Sequence, residues 1–165
     1  MKKIIFLIML FKLGIAFGQV QKWETSKIDT LENTADTFVG RDTFGAFYFI
    51  KNNILIKKTK EKTWQYKNVS FGKIAKVDFE NPLNILLFYD TFNTVILLDN
   101  QLTENKKINF SEINTAVIAT AVGIAFGNKL WVYNSLSQQI GLFDYLKSEY
   151  KPITTSFKGN LKLYN

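Results

Sequence analysis

Asp78 and Glu80 flank Phe79, an alternation that sets both carboxyl groups on one side of an extended strand, and Asp90 opens a turn further on. Two carboxylates facing one gap are the groups that hydrolyse glycosidic bonds, one as acid and the other as base or nucleophile. The chain holds few other means of catalysis. It has no histidine and no cysteine, which removes the commonest base near neutral pH, the commonest metal ligand, thiol nucleophiles and disulfides. A Ser-His-Asp triad, a Cys-His pair and a histidine-bound zinc are therefore excluded. Only carboxylates, tyrosines and lysines remain, and no cofactor is expected.

Residues suited to binding lie elsewhere. Asp90, Phe92 and Asn93 share a short polar turn, Asp90-Thr91-Phe92-Asn93, and Gln138 ends the similar turn Ser135-Leu136-Ser137-Gln138. An aromatic ring in a turn is poorly placed for burial in its own sheet, and beside an amide it suits sugar stacking or protein contact. Packing on a neighbouring sheet is the alternative. Lys60 and Lys62 belong to the segment Lys51–Lys76, which carries eight lysines against one acid, Glu61. That segment reads either as a basic face for anionic partners or, more simply, as a solvated hairpin whose lysines protect strand edges.

These residues must be held by strands. Short runs of Ile, Leu, Val, Phe and Tyr alternate with clusters of Asn, Asp, Gly, Ser and Lys, and no long stretch keeps a helical period. An internal repeat underlies the pattern. At an offset of 45 residues, Asn84–Asp90 falls on Lys129–Ser135 and Val95–Asp99 on Ile140–Asp144 without a gap. At an offset of 31, Asn53–Ile56 falls on Asn84–Leu87 and Thr63–Asn68 on Thr94–Asp99. Each full unit then reads as an inner strand (Ile74–Phe79; Thr115–Ala125), a hairpin (Asn84–Asp90 with Thr94–Asp99; Lys129–Asn134 with Gln139–Tyr145) and an outer strand (Lys106–Phe110; Tyr150–Ser156). The first unit lacks its fourth strand or merges it into Val69–Phe71. Asn68, Asp99 and Asp144 end equivalent strands, where an Asx turn would satisfy the backbone. Phe44, Phe47, Phe49, Phe88, Trp131 and Phe143 sit at strand positions and are core candidates.

Four antiparallel strands per repeat of 40–45 residues is the signature of a propeller blade. The chain resembles exported bacterial β-propeller repeat proteins over residues 44–157, in pattern and without a Trp-Asp dipeptide, a kelch glycine pair, a sialidase box or an Asp-x-Asp-x-Asp calcium loop. The expected fold is all-β: tandem four-stranded antiparallel blades in a partial or truncated β-propeller, with units at 44–71, 74–110 and 115–157 in a domain spanning 44–165. A closed ring of four to eight blades needs roughly 170 to 340 residues at this repeat length. Truncation is the expectation, and Leu161–Asn165 resembles the start of a fourth inner strand. Ring closure between subunits, hence self-association, and an open stack are the alternatives.

Residues 1–18 read as a secretory signal peptide: Met1-Lys2-Lys3, an apolar run from Ile4 to Phe17 broken by Lys12 and Gly14, and small residues before Gln19. A spanning helix needs about 20 apolar residues, so a cleaved leader is favoured over an anchor. No transmembrane segment is then expected in the mature chain. Residues 19–43 read as a polar leader that lies over the first blade or donates one strand to close a ring, with disorder as the alternative. Removing Lys2, Lys3 and Lys12 leaves eighteen basic against fourteen acidic residues, so the charge falls from +7 to +4. Twenty lysines and one arginine, Arg41, argue against nucleic acid, since phosphate and base recognition favours the planar guanidinium. The expectation is an exported, non-catalytic scaffold in the periplasm, at the outer membrane or outside the cell. It would bind an envelope protein or glycan through Asp90, Phe92, Asn93, Gln138, Lys60 and Lys62. The alternative is a fragment of a carbohydrate-active enzyme that uses Asp78, Glu80 or Asp90.

Overall fold

Runs of β-branched and aromatic residues with turn residues between them pair with their sequence neighbours, because a short turn brings adjacent strands together at least entropic cost. The computed structural model describes residues 23–26 and 34–157. The chain divides into two units at Asn33–Thr34. Of the first, Trp23–Ser26 is described and is exposed without regular structure. The expected leader at 1–18, residues 19–22 and 27–33 of the segment 19–43, and Leu161–Asn165 lie outside the described residues.

The second unit contains three sheets. Sheet 1 is β1 (Thr37–Arg41), β2 (Phe47–Lys51), β3 (Ile54–Lys58) and β4 (Thr63–Lys67). Sheet 2 is β5 (Lys76–Asp78), β6 (Ile85–Tyr89), β7 (Thr94–Leu98) and β8 (Glu104–Asn109), followed by one 3-10 turn, Phe110–Glu112. Sheet 3 is β9 (Ala119–Ala125), β10 (Lys129–Asn134), β11 (Gln139–Asp144) and β12 (Glu149–Pro152). Every pair is antiparallel, and spatial order follows chain order in each sheet. The described residues are thus nearly all β.

Sheet 2 lies between the other two, and its alternation shows how. Leu86, Phe88, Val95, Leu97 and Ile108 pack with Val122, Leu130, Val132 and Phe143 of sheet 3. The intervening residues Ile85, Leu87, Tyr89, Ile96 and Leu98 pack with Tyr48, Leu55 and Tyr66 of sheet 1. A strand buried on both faces has no polar side, which is why β6 and β7 are continuous apolar runs. At the inner edge the Phe79 ring stacks on Tyr48 with centroids 5.0 Å apart and lies so close to Gly40 that a Cβ there would collide with it.

Three expectations need correction. The first sheet does not lack a fourth strand after β4: Val69–Phe71 is loop, and β1 supplies the strand from within the segment expected to be a polar leader. The offset of 31 therefore matched β3 and β4 to β6 and β7, one strand out of place. Phe44 is not core but 76% exposed in the turn after β1, and Trp131 is 45% exposed on the face of sheet 3 turned away from sheet 2. Phe49, Phe88 and Phe143 are buried as expected. The Asx turns form as expected: Asn68 accepts from the Ser70 amide, Asp99 from Gln101 and Thr103, and Asp144 from Leu146 and Lys147.

One charged network is buried in this packing. Asp42 accepts from the Phe44 and Ala46 amides and from the Tyr48 hydroxyl at 3.0, 2.9 and 2.9 Å, with the Lys57 ammonium 4.0 Å away. Lys57 donates to the Asn100 carbonyl at 2.9 Å, which ties sheet 1 to sheet 2. Burial pulls Lys57 below its ordinary pKa, against the opposing charges of Asp42 and Asp99. Burial first, then the hydrogen bond to Asp42, pushes Tyr48 up. Tyr66, bonded to Glu104, rises chiefly through burial, and Tyr89 rises to about 12 for the same leading reason. A tyrosine raised in the fold keeps its proton where the unfolded chain releases it, so its contribution is intact below about pH 10 and is lost above it. Lys57 acts in the opposite sense only up to about pH 10.5, its value in the unfolded chain. Above that, stability is expected to fall steeply. A titration at 295 nm should show Tyr48, Tyr66 and Tyr89 ionising together with the loss of β circular dichroism. Full tyrosine ionisation with the fold intact would contradict these assignments.

Candidate functional site

Strand direction alternates within each sheet, so every sheet has two distinct ends. At one end lie the turns between its second and third strands, together with the loops that lead into the next sheet. At the other end lie the turns between first and second and between third and fourth strands. Asp90, Phe92, Asn93 and Gln138 are all at the first, or hairpin, end. Lys60 and Lys62 lie in the turn between β3 and β4, at the opposite end. The structure therefore splits the six expected binding residues into a group of four and a pair.

At the hairpin end, polar side chains hold one sheet to the next. Asn93 has a φ of +49°, a conformation that asparagine tolerates better than most residues. Its amide donates to the Val117 carbonyl at 2.7 Å and to the Ser111 hydroxyl at 3.2 Å. Its carbonyl accepts from the Ala119 amide at 2.9 Å. Asn53 repeats the arrangement one sheet earlier. With a φ of +61°, it donates to the Gly72 carbonyl at 2.7 Å and accepts from the Ile74 amide at 2.8 Å. Both asparagines bridge a carbonyl and an amide two residues apart in the chain entering the next sheet. Gln138 has the same backbone conformation, with a φ of +54°, but among the described residues only its backbone carbonyl is engaged, by the Phe157 amide. Asn93 is therefore a structural clamp rather than a free ligand group.

Phe92 is 51% exposed and meets Phe71 edge-on at 6.4 Å between centroids, so it rests on the loop from sheet 1 while one side stays open. Asp90 is exposed, and its carboxylate accepts from the amide and hydroxyl of Thr91. Leu136, at the tip of the equivalent turn in sheet 3, is exposed as well. The hairpin turns thus present two apolar tips, Phe92 and Leu136, with the Asp90 carboxylate beside the first, and Val69 and Ile118 are exposed in the connecting loops at the same end.

The carboxylates proposed for catalysis do not converge. Asp78 ends β5 at the end opposite Asp90. One of its oxygens accepts from the Ile124 amide of sheet 3 at 2.9 Å and the other from the Glu80 amide at 3.2 Å. Asp78 thereby joins the inner strands of two sheets. Among the described residues no three His, Cys, Asp or Glu gather in a metal-binding group. Asp144 is held below the usual carboxylate range, first by the Lys147 amide and further by that of Leu146, as its Asx turn requires.

Hollows of two kinds also mark the surface. A polar cleft of about 640 Å³ opens between β8 and the turn into β12, with Lys106, Lys107, Lys147, Lys151, Glu112, Glu149, Tyr145 and Tyr150 in its walls. An apolar groove of about 270 Å³ runs over Ala121, Gly123, Trp131, Tyr133 and Ile140 on sheet 3. Sequence reasoning also missed a regularity at the end opposite the hairpins. Phe44, Leu83 and Phe126, each in the turn between the first two strands of its sheet, all project into solvent, Phe126 fully.

No protein-family model matches the chain, and no curated protein matches it in sequence. Solved structures do. A catalytically inactive histidine-to-alanine variant of virginiamycin B lyase from Staphylococcus aureus with quinupristin aligns at 13% identity and a TM-score of 0.54, over 78% of this chain and 45% of that one. A streptogramin B lyase structure aligns at 13% identity and 0.52, over 74% and 40%. Apo AztD from Citrobacter koseri aligns at 10% identity and 0.52, over 82% and 39%. These are β-propeller proteins, and the likeness establishes the fold: the three sheets are propeller-like blades. The chain spans less than half the length of each.

If Asn93 is a clamp, Asn93→Ala leaves a part-buried amide and carbonyl unpaired and should cost about 2 kcal/mol in a denaturant melt. Gln138→Ala, at the equivalent position with no side-chain bridge, should change stability by less than about 0.5 kcal/mol. Equal effects would contradict the assignment.

Proposed function

We propose that the chain is an exported, non-catalytic propeller-type scaffold of the bacterial cell envelope, which binds a protein or glycan through its hairpin end. The observation that carries this reading is the division of labour at that end. Asn53 and Asn93 are committed to holding the blades together, while Phe92 and Leu136 project from neighbouring blades. Packed sheets lie about 10 Å apart, so the two tips present a pair of apolar contacts on a rigid frame, with Asp90 beside one of them. Exposed aromatic and aliphatic anchors on rigid turns suit recognition by contact area rather than by chemistry. The pattern of Met1–Gly18 supports export. Among the described residues no helix is long and apolar enough to cross a membrane.

A second reading, an enzyme fragment, draws on the lyases among the structural neighbours. The neighbour described as catalytically inactive has a histidine replaced by alanine, and this chain contains no histidine. The carboxylate version of that reading would have to rely on Asp78 and Glu80 without Asp90.

Expression in a bacterial host followed by intact mass and binding tests the proposal. The purified protein should begin at Gln19, and its affinity for a polysaccharide or envelope protein should fall about tenfold in Phe92→Ala or Leu136→Ala. Asp78→Asn and Glu80→Gln should leave that affinity unchanged. Retention of residues 1–18 would contradict export. Turnover of a polysaccharide that is lost in Asp78→Asn or Glu80→Gln would replace the scaffold with the enzyme.

A further inference from the structure

The polar cleft between sheets 2 and 3 has an ordered floor. Asp78 and the Ile124 amide hold the two sheets together at their inner strands, and because strands twist, the sheets spread toward their outer strands, β8 and β12. Phe143, met edge-on by Phe110 at 5.2 Å between centroids, closes the bottom of the gap. Tyr150 is paired with Phe143 across β11 and β12, so both side chains point toward sheet 2. The Tyr150 ring lies across Gly141, where a Cβ would come within 2.5 Å of its Cε2 and Cζ atoms. Its hydroxyl donates to the Gln139 carbonyl at 3.3 Å. A half-buried aromatic ring is thus laid against a strand, with one face on the backbone and the other toward the cleft.

The walls above this floor carry charge. Lys106, Lys147 and Lys151 line them. Lys106 holds its ammonium 5.8 Å from the centre of the Tyr145 ring, whereas its neighbour Lys107 turns away to Phe71. Glu112 is engaged by the Asn109 amide at 2.8 Å, and Glu149 is exposed at the start of β12. Among the described residues the one ion pair is Lys57 with Asp42, so no carboxylate is in contact with the cleft lysines; Lys147 bears on Asp144 only at longer range. The volume of about 640 Å³ falls within the range of small-molecule sites, roughly 300–1,000 Å³. Both blades that form the cleft are described, and a blade packed on the outer face of sheet 1 or of sheet 3 would leave it open.

We propose that this cleft binds an acidic oligosaccharide, a chain of sugars that carry carboxylates. The apolar C–H face of one sugar ring stacks on the open face of Tyr150. Its carboxylate and that of a neighbouring sugar lie among the ammonium groups of Lys106, Lys147 and Lys151, which attract anions into the cleft. Glu112 and Glu149 accept from sugar hydroxyls at the two ends, a role that a carboxylate fills and a lysine cannot. Aromatic stacking alone would take a neutral sugar as readily, and lysines alone would take any anion. Their meeting over one floor selects a ligand with both features. The site lies between two blades and apart from the hairpin turns, so this proposal and the hairpin-end reading can fail independently.

Titration calorimetry of the full chain with short oligomers of galacturonate and of mannuronate, against a neutral oligoglucan of equal length, reads the result. One of the acidic oligomers should bind, the neutral one should not, and the affinity should fall as salt is raised. Tyr150→Leu should weaken binding about tenfold, while Tyr150→Phe, which keeps the ring, should leave it within about twofold. Lys106→Gln combined with Lys147→Gln should also cost about tenfold and remove most of the salt dependence. Lys58→Gln, in β3 and away from the cleft, should have no effect. Neither lysine belongs to the buried core, so the paired lysine variant decides the matter even where Tyr150→Leu loses its β circular dichroism. Three results would overturn the proposal: no binding of either acidic oligomer, equal binding of the neutral one, or binding that survives the paired lysine variant but is lost in Phe92→Ala, which would place the sugar at the hairpin end.

Discussion

The fold depends on burying the central sheet from both sides. Strands β6 and β7 are fully buried along their length, and their alternate residues feed two separate cores. Burial of such side chains contributes roughly 1.5–3 kcal/mol each, and in a chain without cysteine no disulfide supplements it. Sheets 1 and 3 stand against sheet 2 because that is where their own apolar faces find cover. The end-opposite turns, the hairpin turns and the inner strands then fall into line, since all three sheets share one strand order.

Polar groups serve this packing more than they serve chemistry. Asn53 and Asn93 carry the chain from one blade to the next at the hairpin end, and Asp78 performs the same office at the other through the Ile124 amide. Asp42, Tyr48 and Lys57 form a buried network whose outward link is the Asn100 carbonyl. Each of these side chains would look like a candidate ligand or catalyst in a list of residue types. Their bonds assign them to the frame, and the exposed tips Phe92 and Leu136 are what the frame presents.

Much of this was legible in the sequence, and the failures have physical causes. Blades 2 and 3 have equal hairpin turns, so the offset of 45 ran without a gap and located β6, β7, β10 and β11. Blade 1 turns its hairpin in two residues, Asn52-Asn53, with φ of +50° and +61°, which fits the tight two-residue connection of a hairpin. The four-residue turns of the other blades break a gapless match. Asn53 was consequently set against Asn84 instead of Asn93, which hid the repeated clamp; two asparagines each closing a hairpin were the available signal. Trp131 reads as core because its strand is apolar throughout, and apolar character shows that a face needs cover, not that the cover is present. Phe44 looks like part of a strand only while β1 is counted with the leader; with β1 in place it is a turn residue.

The central claim is that two-sided burial of sheet 2 organises the molecule. Native-state hydrogen exchange, resolved by residue, tests it most directly, because protection reports the free energy of local opening. The slowest amides should lie in Ile85–Tyr89 and Thr94–Leu98, with faster exchange in β1 and β12 at the edges of the outer sheets. Uniform protection across the three sheets, or slowest exchange in sheet 1 or sheet 3, would contradict the account.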